Sequence, residues 1–173
     1  MIHRRIGYSG LQRVREAETM NTLIGFGRDI EYHFARGLRA YLARVARAVG
    51  VGFESCSLDL DVPASGYVAL DRTLPDRPGH DLALIWDEVH GWSAVVEPAG
   101  GGAARVLAYL GGPEVLPAPR AVARFLEVLR VAGPPAGSFR PPVFRAAGHH
   151  EDLVDWLPVT GPEGLLRPSS PAW

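Results

Sequence analysis

The connections between the apolar segments of residues 55–110 are all shorter than a dozen residues. In the first segment, apolar and polar residues alternate strictly, which is typical of a strand with one buried and one solvated face. A later segment, from Leu82 to Trp86, is continuously apolar, which indicates a central strand covered on both faces. Because parallel neighbours need crossovers of a dozen residues or more, we expect an antiparallel sheet. Four or five strands are predicted, over residues 55–62, 67–70, 82–86, 92–97 and 105–110.

Two amphipathic helices are predicted to flank this sheet. The first begins at Asp29, a good N-cap residue, and ends before Gly50. Its apolar side chains recur at steps of three and four residues, namely Ile30, Phe34, Leu38, Tyr41, Leu42, Val45 and Val49. The second helix covers Pro119–Ala132. The chain is therefore predicted to be an α+β domain in α-β-β-β-β-β-α order with a Pro-rich tail, whose helices pack on one face of the sheet.

The length of 173 residues corresponds to about one domain. We expect a flexible N-terminal extension over residues 1–28, a single α+β domain over residues 29–157 and a disordered tail over residues 158–173. Near the end of the domain, a short helical turn is predicted to dock through Leu153 and Trp156.

Cysteine content and hydropathy bear on the compartment. Cys56 is the only cysteine, which excludes an internal disulfide and a cysteine-based zinc cluster. It lies in phase with the apolar residues of the first strand, so we interpret it as inert packing. No apolar run approaches the roughly 20 residues of a transmembrane helix, and the N-terminus lacks the apolar region of a signal peptide. We expect a cytoplasmic protein with no membrane partner.

Charge is distributed unevenly, although the net charge is −1. Residues 1–49 hold nine arginines against four acidic residues, whereas residues 50–173 hold nine against fifteen. Such asymmetry can mark a partner surface, or it can pair two elements within the fold or across a homodimer. The candidate partner-binding residues, on the polar face of the first helix, are Arg36, Arg39 and Arg47. Nucleic acid is the weaker alternative there, because no helix-turn-helix or aromatic-interleaved pattern accompanies the arginines.

The predicted hairpin of residues 86–92 carries the densest group of candidate site residues. The candidate catalytic residues are Asp87, Glu88 and His90. The candidate ligand-binding residues are Trp86, Trp92 and Tyr109. Carboxylates and imidazole suit acid–base catalysis, and a tryptophan wall can raise a carboxylate pKa by desolvation. The alternative is structural, because acidic residues and glycine suit a tight loop and two tryptophans can form a stabilising cross-strand pair.

Two further polar groups have side chains that metals use. Residues 149–152 are two histidines followed by Glu and Asp, but adjacent histidines on a helix point about 100° apart and rarely share an ion. Asp59 and Asp61 share the polar face of the first predicted strand, which is more simply a solvated face. We therefore expect neither a metal nor a cofactor.

Four segments resemble a family of small actinobacterial proteins of unknown function. The most specific is the hairpin pattern Asp-Leu-Ala-Leu-x-Trp-Asp followed by His-Gly-Trp, over residues 81–92. The others lie at residues 33–41, 107–112 and 119–125. The resemblance extends over residues 32–155 and implies an actinobacterial, cytoplasmic origin. It implies no activity and no functional residues.

The absence of any catalytic fingerprint favours a non-enzymatic module that binds a protein partner or a small molecule. One alternative is a small enzyme with an acid–base site on the hairpin of residues 86–92. A second alternative is nucleic-acid binding through the arginine face of the first helix.

Overall fold

A computed structural model describes residues 9–75, 77–132 and 137–158 of the chain. The helices are α1 (Ser9–Val49), α2 (Pro119–Ala132) and α3 (Glu151–Val154), with a 3-10 turn at Phe53–Ser55. The strands are β1 (Cys56–Asp59), β2 (Ser65–Leu70), β3 (His80–Asp87), β4 (Gly91–Pro98) and β5 (Arg105–Tyr109). Each strand pairs antiparallel with the next, so the sheet order is the chain order. The predicted α+β fold with an antiparallel sheet of four or five strands is confirmed, and the sheet has five strands.

One face of the sheet forms the core. Across the strands, Val68, Leu84, Ala94 and Ala108 lie in one register row, and all four are buried. The row at the hairpin end pairs Trp86 with Trp92. Alternate residues of a strand point to opposite faces, so these rows present one continuous apolar surface.

Both long helices contribute to this same core. The α1 stripe is buried from Phe34 to Val49, and α2 adds Val122, Phe125, Leu126 and Leu129. The predicted spacing of three and four residues is what aligns these side chains on one side of each helix. Within the described residues, no helix is apolar over a stretch long enough to cross a membrane.

Two predicted element boundaries are wrong by three residues or more. Helix α1 begins at Ser9 rather than at Asp29, and Asp29 lies within it. Strand β1 ends at Asp59, where the Asp59 side chain accepts a hydrogen bond from the backbone N–H of Asp61. This local turn competes with the strand ladder, and it leaves Leu60 and Val62 42% and 62% exposed instead of buried. The two aspartates therefore do not share a strand face.

The flexibility predicted for residues 1–28 and the disorder predicted for residues 158–173 both stay predictions. Residues 1–8 and 159–173 lie outside the described residues, and the end of the Pro-rich tail lies there with them.

Residues 137–158, here called the C-terminal segment, run along the hairpin end of the sheet. The segment starts with a bridge between Ser138 and Tyr109, and further along the Phe144 N–H donates a hydrogen bond to the Val89 carbonyl in the β3–β4 turn. It ends against α1, where Gly37 permits the close approach, because a Cβ atom there would lie 2.7 Å from Leu157 Cβ. The predicted docking of Leu153 is confirmed, since it is buried.

Candidate functional site

The two acidic side chains of the β3–β4 turn have different surroundings: one bonds to the backbone of the turn, and the other lies in the protein interior. The Asp87 carboxylate accepts hydrogen bonds from the backbone N–H groups of Val89 (2.9 Å) and His90 (2.7 Å). Gly91 closes the turn at φ +66°, a conformation that favours glycine. With Asp87 engaged by the turn itself, the next side chain, Glu88, lies inside the protein and is fully buried.

The Glu88 carboxylate joins three separate parts of the chain. One oxygen accepts a hydrogen bond from the Ala64 N–H at 2.8 Å, in the loop before β2. The other oxygen accepts bonds from Gly148 N–H at 3.0 Å and from Arg145 Nη1 at 2.7 Å. A buried carboxylate is stable only when it is paired and hydrogen-bonded, and these contacts meet both conditions. Glu88 is therefore the polar centre of this end of the molecule.

Arg145 extends the network into the C-terminal segment. Its side chain is 13% exposed. Its second terminal nitrogen donates to the carbonyls of Gly148 and His149, both at 2.7 Å, and lies 3.7 Å from the Asp152 carboxylate. The guanidinium thus closes residues 145–149 into a loop around itself and ties that loop to Glu88. A planar group with five donors is suited to this role.

His150 lies on the other side of the same carboxylate. Its ring stacks on Phe34 with centroids 4.0 Å apart and an interplanar angle of 10°. Its Nε2 is buried and lies 3.5 Å from Glu88 Oε1, but in a direction that forms no hydrogen bond. His150 therefore connects α1 to the Glu88 centre mainly through ring packing.

Two clefts flank this centre. The first, here called the Trp156 groove, has a volume of about 310 Å³. It is lined by residues 113–116, Phe144, Arg145, Asp152, Leu153 and Trp156. The second, here called the His150 cleft, has a volume of about 370 Å³. It is lined by Glu31, Phe34, Leu60, Asp61, Val62 and His150.

Trp156 differs from the sequence prediction. We expected it to dock with Leu153, but it is 74% exposed, so this prediction is wrong. The physical reason is the short length of α3: its buried face is occupied by Leu153 and, one turn later, by Leu157. Trp156 lies between these two positions and faces the groove.

The three candidate catalytic residues lie in one turn but have different partners. Asp87 contacts backbone N–H groups, and Glu88 contacts Arg145 and two backbone donors. His90 Nδ1 lies 2.6 Å from the Pro142 carbonyl oxygen. The turn thus keeps them adjacent in the chain without directing them toward a common point. Their catalytic role stays a prediction.

The candidate ligand-binding tryptophans lie in the core as a cross-strand pair. Trp86 donates its indole N–H to the Val115 carbonyl at 2.7 Å, and Trp92 donates to the Tyr41 hydroxyl at 2.9 Å. Burial raises the pKa of the Tyr41 phenol far above its usual value, so its hydroxyl stays protonated and donates to the Pro117 carbonyl at 2.8 Å. Tyr109 is half-buried, with its ring centroid 6.3 Å from that of His90. Neither tryptophan lines the Trp156 groove or the His150 cleft.

The candidate partner-binding arginines lie along α1. Arg36 is half-buried, donates to the Tyr32 hydroxyl and packs over that ring at 5.5 Å. Arg39 is exposed and packs over the ring of Phe53 at 5.4 Å, and Arg47 is also exposed. Part of this arginine face is therefore engaged within the chain, and its partner-binding role stays a prediction.

Metal-ligating side chains do not converge in the part of the chain that the structure describes. No group of three or more His, Cys, Asp or Glu residues there could hold an ion. Cys56 packs against the core, and burial raises the pKa of its thiol, with Glu54 adding to the effect. A raised pKa keeps the thiol protonated and poorly nucleophilic.

Sequence reasoning missed the partners of Glu88. Arg145 lies 57 residues further along the chain, in a segment without periodicity, so no local signal connects the two. His150 was considered only as a metal ligand. The sequence does not distinguish the exposed Trp156 from a buried core residue, because both are large and apolar. Trp156 is exposed because α3 is too short to bury it.

The comparisons with known proteins concern the body of the domain. No curated protein matches the chain, and no solved structure matches it. One family model matches residues 41–128, which run from within α1 through the whole sheet into α2. The match includes Glu88, whereas Arg145, His150 and Trp156 lie beyond it. The chain therefore belongs to a family of unknown function (DUF6292).

Proposed function

We propose that this protein is a non-enzymatic binding module whose Trp156 groove takes a short segment of a partner protein, with apolar anchor residues beside basic ones. The observation that carries the proposal is the 74% exposure of Trp156 over a groove lined by Val115, Leu116 and Phe144. Exposed tryptophans beside apolar pockets are frequent energetic centres of protein interfaces.

The charges of the groove favour a basic partner. Glu114 and Asp152 line it, and Arg145 lies 3.7 Å from the Asp152 carboxylate while it donates to Glu88, so Glu114 is the carboxylate of the groove that has no ion pair among the described residues. Complementary charge directs encounter and orientation more than it adds affinity. A segment with one bulky apolar residue and neighbouring Arg or Lys side chains would place its apolar residue against the apolar lining of the groove and its basic residues near the acidic lining.

The contacts of the hairpin support binding over catalysis. A general base must reach a substrate proton, but the Glu88 carboxylate is fully buried and bonded to three donors. The Asp87 carboxylate is bonded within its own turn. The enzymatic alternative would require this network to open.

Peptide selection tests the proposal. A displayed random-peptide library is selected on the full chain and counter-selected on Trp156→Ala. We expect enriched peptides to combine an aromatic or aliphatic anchor with Arg or Lys. In fluorescence anisotropy with labelled synthetic peptides, Trp156→Ala should raise the Kd at least about tenfold, the effect of an interface anchor.

Phe139→Ala is the matched control. Phe139 is 70% exposed, close to the value for Trp156, but it does not line the groove. This variant should bind the selected peptides with unchanged Kd. Failure to enrich any sequence, or equal binding by Trp156→Ala, would contradict the proposal.

We also propose that the protein forms a homodimer, in which the uneven distribution of charge along the chain would bring basic and acidic surfaces of the two copies together. Helix α1 offers one surface for it: the described positions before Phe34, which are residues 27 and 29–33, are all exposed or half-buried. A second copy that packed against these positions would stabilise this part of the helix.

A further inference from the structure

We propose that the His150 cleft binds a small organic cation, a protonated amine carried on an apolar body. This site is separate from the Trp156 groove, with which it shares no lining residue. The inference does not depend on the proposed peptide binding.

The cleft has apolar walls that the fold leaves uncovered. Leu60 and Val62 are 42% and 62% exposed, because the turn after β1 carries them out of the sheet. The stacked rings of Phe34 and His150 form another side of the cleft. A volume of about 370 Å³ lies at the low end of the range for ligand sites, which indicates a small ligand.

The polar lining selects the sign of charge. The two carboxylates of the cleft, Glu31 and Asp61, form no ion pair with the described residues, and none of the described residues that line the cleft is an arginine. Glu88 lies behind His150, but its carboxylate is paired with Arg145. An anion would be repelled by both unpaired carboxylates, whereas a cation would be attracted by them.

The geometry favours an organic cation over a metal ion. Glu31, Asp61 and His150 all line the cleft, but no set of described residues forms a group that could hold a metal. An ammonium group needs only hydrogen-bond acceptors at the rim, and its apolar body would cover Leu60 and Val62. The apolar walls and the unpaired carboxylates are then both accounted for.

Three probes that share a phenyl ring and similar size and carry a positive, a neutral or a negative polar group test the proposal: benzylammonium, benzyl alcohol and benzoate. Each is titrated into the full ¹⁵N-labelled chain, and the amide shifts are followed by NMR. We expect benzylammonium to saturate with a Kd of about 1 mM, as befits a ligand of so few atoms. The shifted amides should cluster at Leu60, Asp61, Val62 and His150. Benzyl alcohol should bind at least about fivefold more weakly, and benzoate should not saturate.

Asp61→Asn removes one charge without changing size and should raise the benzylammonium Kd about fivefold. Asp71→Asn is the matched control, because Asp71 is also exposed but does not line the cleft, and its Kd should be unchanged. Equal affinity for benzyl alcohol, shifts that map elsewhere, or an unchanged Kd in Asp61→Asn would each overturn the proposal.

Discussion

The β3–β4 hairpin and the C-terminal segment meet at Glu88, but different forces hold them. In the hairpin, Trp86 and Trp92 are essentially inaccessible to solvent and pack in a continuous apolar core. In the C-terminal segment, Leu153 and Leu157 are buried, while Phe139, Val143 and Trp156 are each at least 70% exposed. Because the segment buries few apolar side chains, the hydrogen bonds and the ion pair to Glu88 contribute much of the stability of its attachment to the domain.

Because different interactions hold the two regions, single substitutions should affect their stability to different extents. Apolar burial is shared among many neighbours, so a conservative replacement in the hairpin removes only part of it. The Arg145 side chain and the Gly148 N–H both bond to one carboxylate, and removing it leaves Nη1 of a partly buried guanidinium and the N–H groups of Gly148 and Ala64 without their acceptor. An uncompensated buried charge is costly.

Glu88→Ala is therefore expected to have the largest effect on stability. Breaking a buried ion pair by removing one partner costs about 3–5 kcal/mol. The measurement is the free energy of unfolding from urea titration, followed by far-UV circular dichroism. The control is Glu127→Ala, whose carboxylate forms exposed ion pairs with Arg72 and Arg130 and should change stability by less than about 1 kcal/mol.

Hydrogen exchange locates the loss in Glu88→Ala. The Gly148 amide, which donates to Glu88, should exchange faster, whereas the amides of β3 and β4 should lose protection only as far as global stability falls. A cost below about 1 kcal/mol, or equal acceleration in both regions, would remove the distinction between them.

The hairpin is also the region that sequence reasoning described best. The continuously apolar β3 and the short connections predicted the hairpin strands and their antiparallel order, and the bounds of α2 agree with the structure, whereas strict alternation predicted the end of β1 three residues too late. These features are local, since periodicity within one element determines which face is buried. The start of α1 was predicted wrongly because Asp, although it favours the N-cap, is tolerated inside a helix at a cost of less than about 1 kcal/mol when the flanking residues are helical.

The candidate site was predicted only in part. The sequence drew attention to Glu88, but as a carboxylate that could react with a substrate. Its partners are contributed by Ala64 and by Arg145, which lie 24 and 57 residues away in segments without periodicity. A contact between two irregular segments depends on the assembled tertiary structure, and no short pattern encodes it.

Trp92→Phe measures how much stability one side chain of the hairpin core contributes. The variant loses the bond from the indole N–H to the Tyr41 hydroxyl and leaves a small cavity, at a cost of about 1–3 kcal/mol. Tyr41 can still donate to Pro117, so no buried hydroxyl is left without a partner. Urea titration measures the cost, and Trp156→Phe is the control, expected within about 0.5 kcal/mol because Trp156 is exposed. A larger loss of unfolding free energy in Trp92→Phe than in Glu88→Ala would contradict the expectation that the Glu88 centre is the more sensitive of the two regions.

The smallest expected effect concerns a partly buried polar pair, Tyr67 and Glu97, on the opposite face of the sheet. Tyr67 donates its hydroxyl to Glu97 at 2.9 Å. Burial, followed by this hydrogen bond and the Glu97 charge, raises the pKa of Tyr67 to about 12. Because an unfolded tyrosine ionises near a pKa of about 10, this contribution to stability is complete below that pH and is lost as the pH rises toward 12.

Glu97→Gln removes the neighbouring charge and should lower the pKa of Tyr67 toward its usual value, while stability at neutral pH changes little because the amide can still accept the bond. The measurement is tyrosinate absorbance during a rapid alkaline titration, with Tyr67→Phe identifying which transition belongs to this residue. If the transition does not move in Glu97→Gln, the Glu97 charge does not contribute, and burial together with the hydrogen bond determines the pKa of Tyr67. The partly exposed pair would then differ from the Glu88 centre in kind, because its behaviour would not depend on the charge of its partner.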